Sequence, residues 1–160
     1  IGYTLAKTMR QIDGINDDQP YPATNDRRHD ISVVGSYQAT PRVNLAATWV
    51  YATGNAVTFP VGKYEVDGQT VAFYGSRNSA RMPAYHRADF AVTIDGKTKG
   101  LKEGRRRLES SWNISVYNAY GRRNAWSVDF RPSDEPNEPP KAYKIFLFRW
   151  VPSVTWNFEF

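Results

Sequence analysis

The chain contains no cysteine. Disulfides and thiolate metal sites are therefore excluded, and cysteine usage says nothing of the redox compartment. A run of about 20 apolar residues is also missing, so no transmembrane helix is encoded. This does not exclude a membrane, because a barrel strand crosses with only about 9–11 tilted residues of alternating character. No segment holds a helical period over three turns. Histidine is scarce: His29 and His86 stand far apart, each beside an arginine. Arginine neighbours discourage a bound cation, and no metal site is expected. The chain opens on Ile1 with no initiator methionine or signal peptide, which reads as a processed product or an excised piece.

Aromatics are plentiful. They make up 14% of 160 residues, in a chain whose mean hydropathy is only -0.61. A polar average with many rings suits a sheet with one polar and one apolar face better than a compact core. The net charge of +5 points to an anionic partner only if the charge is patterned. Six basic residues crowd into 97–107, and the rest are mixed with acids. A solvated turn is the simplest reading of that stretch, and no nucleic-acid partner is expected.

Period-two alternation is the main signal. It predicts six strands, at 1–11, 30–39, 43–53, 85–94, 108–120 and 143–160. The fifth is expected to resume through Trp126, Val128 and Phe130, and the sixth to break at Pro152. One face carries residues such as Val33, Trp49, Phe90 and Ile114. The other carries Ser, Thr, Asn, Gln, Asp and Arg. The connections alternate in length: residues 40–42 form a tight turn, whereas 13–29, 55–83 and 131–142 are long and rich in Gly, Pro, Asn and Asp. Short turns at one end and long loops at the other are the pattern of outer-membrane barrels. The connection at 95–107 is longer than that pattern asks. Tyr3, Tyr37, Trp49, Tyr51, Tyr85, Trp112, Trp150, Trp156 and Phe158 fall near predicted strand ends. Rings with a polar handle favour the lipid–water interface, which predicts two aromatic girdles.

The predicted fold is therefore all-β: an antiparallel transmembrane β-barrel segment spanning residues 1–160. Six strands cannot close a barrel by themselves, since the smallest single-chain examples have about eight. Open edges in lipid would leave backbone groups without partners. The wall is expected to continue in further strands or to meet another protein.

No catalytic set emerges. Asp13, Asp17, Asp18 and Asp26 share one loop without the spacing of a calcium loop. Gly54, Gly62, Gly68 and Gly75 punctuate a loop and do not make a phosphate cradle. Neither an enzyme nor a cofactor is implied. Arg87 and Asp89 share one face. Facing lipid at mid-depth, an arginine would cost roughly 2–4 kcal/mol, so that face is assigned to the lumen, with Asn113 and Asn157 as further lumen candidates. Asp26 to Asp30 (Asp-Arg-Arg-His-Asp) places charges at a loop–strand junction, where they can pair across the rim or meet lipopolysaccharide.

The last residues read Val-Thr-Trp-Asn-Phe-Glu-Phe, with Val154, Trp156, Phe158 and Phe160 alternating against polar residues. This ending resembles the terminal signal of outer-membrane barrels, which assembly machinery recognises by strand addition. Other segments lie in one order with it. They are Tyr3-Thr-Leu-Ala-Lys-Thr8, Asn25-Asp-Arg-Arg-His-Asp30, Tyr51-Ala-Thr-Gly-Asn-Ala-Val-Thr58, Arg81-Met-Pro-Ala-Tyr-His-Arg-Ala-Asp89, Trp112-Asn-Ile-Ser-Val-Tyr-Asn-Ala-Tyr120 and Pro152-Ser-Val-Thr-Trp-Asn-Phe158. Together they resemble the C-terminal part of the barrel in TonB-dependent receptors of Bacteroidota. The resemblance implies the last six strands of a barrel of about 22 strands enclosing a plug. It implies a Gram-negative outer membrane and energised uptake of a scarce nutrient. The implied partners are outer-membrane lipid and lipopolysaccharide, the barrel-assembly machinery at the terminal strand, and the TonB complex through a plug outside this chain. Alternatives are a client of the assembly machinery, a non-transport barrel, and a soluble β-sandwich binding module.

Overall fold

The computed structural model describes residues 1–96, 109–131 and 141–159. Among them the chain is all-β, with no helix. The strands in order are β1 (Gly2–Leu5), β2 (Met9–Arg10), β3 (Tyr21–Pro22), β4 (His29–Thr40), β5 (Val43–Ala52), β6 (Ala56–Val57), β7 (Pro60–Val66), β8 (Gln69–Tyr74), β9 (Ala80–Arg81), β10 (Tyr85–Asp95), β11 (Glu109–Tyr117), β12 (Ser127–Arg131), β13 (Lys141–Ile145) and β14 (Val151–Glu159). Six of them form one antiparallel sheet in the order β1-β4-β5-β10-β11-β14. Neighbours in space are neighbours in sequence once the short hairpins are set aside, so the sheet is a simple meander. Strands β1 and β14 are its edges.

Register explains why the alternation is legible. Directly opposed residues in an antiparallel ladder point to the same side. Ile31 opposes Tyr51, which opposes His86; Val92 opposes both Leu45 and Ile114; Ile114 opposes Val154. A one-residue slip would send every one of these side chains to the other face.

The ends of the sheet differ. At one end lies the tight turn at 41–42, beside the end of β10. Arg42 Nε donates to the Asp95 carbonyl at 2.8 Å and ties the two together. At the other end lie the connections 6–28, 53–84 and 118–150. These fold into small ladders of their own: β2 with β3, β6 with β9, β7 with β8, and β12 with β13. The β7–β8 turn is Asp67-Gly68, both with positive φ (51° and 76°), as a two-residue turn matched to strand twist requires. Gly54 allows a close crossing of chain segments, because a Cβ there would lie 1.6 Å from the Met82 carbonyl oxygen.

Three strand predictions need correction. The stretch 1–11 is not one strand: the chain leaves the sheet after Leu5, and the Thr8 amide is taken by Asp26 Oδ1 at 2.6 Å. Strand β11 does not resume at Trp126. It ends at Tyr117, the φ of 53° at Asn118 turns the chain outward, and among the described residues β12 pairs with β13 alone. In the last segment Pro152 is no break but lies within β14, opposite Val116. Pro152 stands at the start of the strand, which begins at Val151, and proline is tolerated where a ladder is only beginning. The break falls instead at 146–150.

The buried apolar side chains among the described residues are Tyr21, Ala23, Ala52, Ala56 and Ala88. No Leu, Ile, Val, Phe or Trp is among them. Each strand of the sheet makes its main contacts with its ladder neighbours, and no second sheet faces it among the described residues. Among the described residues both faces of the meander are open.

Candidate functional site

The apolar face is graded from end to end. Near the long connections runs a row of rings: Tyr3 stacks on His29 at 6.1 Å, Trp49 on Tyr51 at 6.2 Å, Tyr51 on His86 at 6.3 Å, and His86 meets Tyr120 at 5.6 Å. Both histidines sit in this row. Each is held through Nδ1 to a tyrosine hydroxyl: His29 to Tyr3 at 2.9 Å, His86 to Tyr120 at 2.7 Å. Near the short turn lies a second group, where Trp112 stacks on Trp156 at 5.9 Å and Trp156 meets Phe158 at 4.7 Å. Between the two lie Val33, Ala47, Ala88, Phe90, Val92, Ile114 and Val154, all in register on the same face. Phe90, near the middle, is 51% exposed.

Two predicted girdle members stand elsewhere. Tyr85 opposes Ala52 on the polar face, and Trp150 lies outside any strand. Val154, Trp156 and Phe158 share the apolar face of the edge strand β14, whereas Phe160 lies outside the described residues. The basic stretch 97–107 also lies outside them.

Arg87, Asp89, Asn113 and Asn157 all stand on the opposite, polar face. Asn113 Nδ2 donates to Thr93 Oγ1 at 3.0 Å. Arg87 is enclosed: Nη1 donates to the Tyr85 hydroxyl at 3.1 Å, and the guanidinium lies 4.1 Å from the centre of the Tyr117 ring. Its Nε sits 3.0 Å from Asp89 Oδ2, a charge contact rather than an aligned hydrogen bond. The other carboxylate oxygen of Asp89 accepts the Asn118 amide at 2.8 Å. Asn118 is 1% exposed. Its side-chain amide donates to the carbonyls of Arg122 and Arg149, which joins the end of β11 to the approach of β14. Asp89 thus orders the exit of β11, a role that spacing alone does not reveal.

A second charged cluster lies in the long connections. Asp26 is buried, accepts the Thr8 amide and pairs with Arg81. Arg81 Nη1 also donates to the Asp26 carbonyl at 2.5 Å. The Thr8 amide first, and the Arg81 guanidinium second, hold the Asp26 carboxyl below its ordinary 3.8. Asn78 adds to this junction by donating to the Pro22 carbonyl at 2.8 Å and receiving the Thr58 hydroxyl. The first two long connections are therefore docked on each other. Of the four aspartates considered for calcium, Asp26 is engaged here and Asp18 Oδ1 accepts the Gly14 amide at 2.7 Å. No group of three or more potential ligands stands together among the described residues.

No protein-family model matches the chain, and neither a curated protein nor a solved structure matches it. What the geometry defines is a class: an antiparallel single-layer sheet with one polar and one apolar face.

Proposed function

We propose that the sheet is a stretch of wall from a β-barrel in a Gram-negative outer membrane, with its apolar face in lipid and its polar face on the lumen. The observation that carries this is the uncovered apolar face bounded by aromatic rows at both ends. Water would penalise that surface at about 25 cal/mol per Å² of apolar area, and no second layer covers it among the described residues. Its height suits a bilayer. From His86 to Ile94 the strand takes eight steps, about 27 Å at ~3.4 Å each. A tilt of about 40° leaves about 21 Å, near the ~25 Å apolar band of outer-membrane barrels. The tight turn at 41–42 and the three connections 6–28, 53–84 and 118–150 fall on opposite ends, as periplasmic turns and outer loops do, while the β10–β11 connection is longer than that pattern asks. The edge strands β1 and β14 then require further strands, since exposed ladder groups in lipid cost several kcal/mol each.

The transport part of the reading rests on the ordered motifs of the sequence, which resemble TonB-dependent receptors. On this reading the parent barrel takes up a scarce nutrient, energised through TonB. Strand β14, with Val154, Trp156 and Phe158 in lipid and Phe160 at its end, is the assembly signal. The outer aromatic row and the charges beside it meet lipid and lipopolysaccharide.

Membrane fractionation tests the first claim. The protein should sediment with outer membranes and resist carbonate extraction. A monodisperse, folded protein free of detergent would end the barrel reading. Uptake by cells carrying the full-length parent tests the second: deletion of TonB should abolish it, and undiminished uptake would reduce the proposal to a non-transport barrel.

A further inference from the structure

The hairpins of the second and third long connections face one another. The β7–β8 hairpin turns Pro60, Lys63, Ala72 and Tyr74 toward Val128, Asp129 and Phe130 of β12. Between them is a groove of about 350 Å³, at the small end of the ~300–1,000 Å³ typical of ligand pockets. Phe59 and Phe130 meet at 4.9 Å with their rings inclined at 57°, forming one aromatic wall.

Two polar side chains of this groove are engaged, and two, the Tyr74 hydroxyl and the Lys63 ammonium, have no partner among the described residues. The Thr58 hydroxyl is shared with Asn78, accepting its amide at 2.8 Å. Asp129 Oδ2 accepts from Arg131 Nε at 3.3 Å in an exposed pair. Lys63 is half-buried and has no ion pair among the described residues. An ammonium among apolar walls gains most from an opposite charge that enters with it. One ammonium matches the single charge of a carboxylate, whereas a phosphate monoester at pH 7 carries about −1.5 to −2 and would leave charge unpaired in the groove.

We propose that this groove binds an aromatic carboxylate, with the carboxylate at Lys63 Nζ and the ring against Phe59, Phe130 and Tyr74. Inclined rings favour a third ring packed edge or face against them over a branched aliphatic. The site is built only from hairpins of the long connections, so it stands whether or not the sheet lies in lipid.

The test is calorimetric titration of the detergent-solubilised protein with 4-phenylbutyrate, corrected for empty micelles. 4-Phenylbutylamine supplies the same body with the opposite charge. The carboxylate should bind saturably, and the amine at least about tenfold more weakly, a factor of ten being about 1.4 kcal/mol. Lys63→Met should lose a similar factor while its far-UV spectrum stays unchanged, and Phe130→Ala should weaken both ligands. Equal binding of amine and carboxylate, unchanged binding by Lys63→Met, or no saturable heat below the solubility limit would each overturn the proposal.

Discussion

Asp26 and Arg81 stand 55 positions apart and form an ion pair in which the carboxylate side chain is 1% exposed and the guanidinium 38%. The pair joins the first long connection to β9 in the second. It also explains why the chain leaves the sheet after Leu5, since the same carboxylate draws the Thr8 amide away from the ladder.

This pair makes the junction pH-dependent at the acid end. The Asp26 carboxyl is held below 3.8 in the folded protein, so its stabilising contribution is complete above about that value. It is lost as pH falls from there through the folded value. The Thr8 amide resonance should therefore keep its shift down to about pH 4 and move only below it. A midpoint at or above the ordinary carboxylate value would show that the Thr8 and Arg81 contacts do not hold the charge. Asp26→Asn should cost about 1.5–3 kcal/mol, the range for hydrogen bonds to a charged group.

Arginine scanning separates the two faces. Phe90 lies mid-band on the apolar face, and its neighbour Ala91 lies on the polar face opposite Ala46 and Ser115. In lipid, Phe90→Arg should cost roughly 2–4 kcal/mol, and Ala91→Arg little. Unfolding by denaturant in phospholipid vesicles measures both. Equal effects at the two positions would argue that no lipid contacts the sheet.

The terminal strand should be selective by face. Phe158→Asp and Phe160→Asp should each lower the amount of barrel inserted in cells, because strand addition reads alternate side chains. Asn157→Asp, on the polar face beside Ser111, should leave insertion near its normal level. Insertion is followed by surface accessibility of a tag in an outer loop. Normal insertion with both phenylalanines replaced would remove the assembly role.

Much of the sheet was legible because its information is local. The alternation through Ile31, Val33, Gly35 and Tyr37 requires only that one side of β4 differ from the other, and period two states this directly. The outer hairpins were missed for the opposite reason. Pro60 and Gly62 interrupt the pattern in β7, and a register shift sits between them. The only strong signal there was Asp67-Gly68, a turn dipeptide between Tyr64-Glu-Val66 and Val71-Ala-Phe73. Pro152 misled because its meaning depends on position: it breaks the middle of a strand and fits its start, and the start of β14 is set by its pairing with β11. Arg87 and Asp89 were found as a pair from spacing. Their partners Tyr117 and Asn118 come from the next strand, and the Asp26–Arg81 pair spans 55 residues, beyond any local pattern.

Asn118 should be the most sensitive polar residue of the outer end. It is buried, takes a φ of 53°, and bridges the carbonyls of Arg122 and Arg149 while its own amide is held by Asp89. Three substitutions separate these contributions. Asn118→Gly keeps the backbone conformation and removes the three side-chain bonds, two donated to the Arg122 and Arg149 carbonyls and one accepted from the Arg122 amide, so it isolates their loss, about 1–3 kcal/mol. Asn118→Ala adds the left-handed strain of a residue with a Cβ, about 1 kcal/mol more. Asn118→Asp replaces the amide donor with an acceptor facing two carbonyls and should be the worst of the three. The order Gly, Ala, Asp in rising cost, measured by urea midpoint in one detergent, is the expected result. If Asn118→Gly matches the parent, the bridge between β11 and the approach to β14 contributes nothing, and the outer end is held by Asp89 and the aromatic row alone.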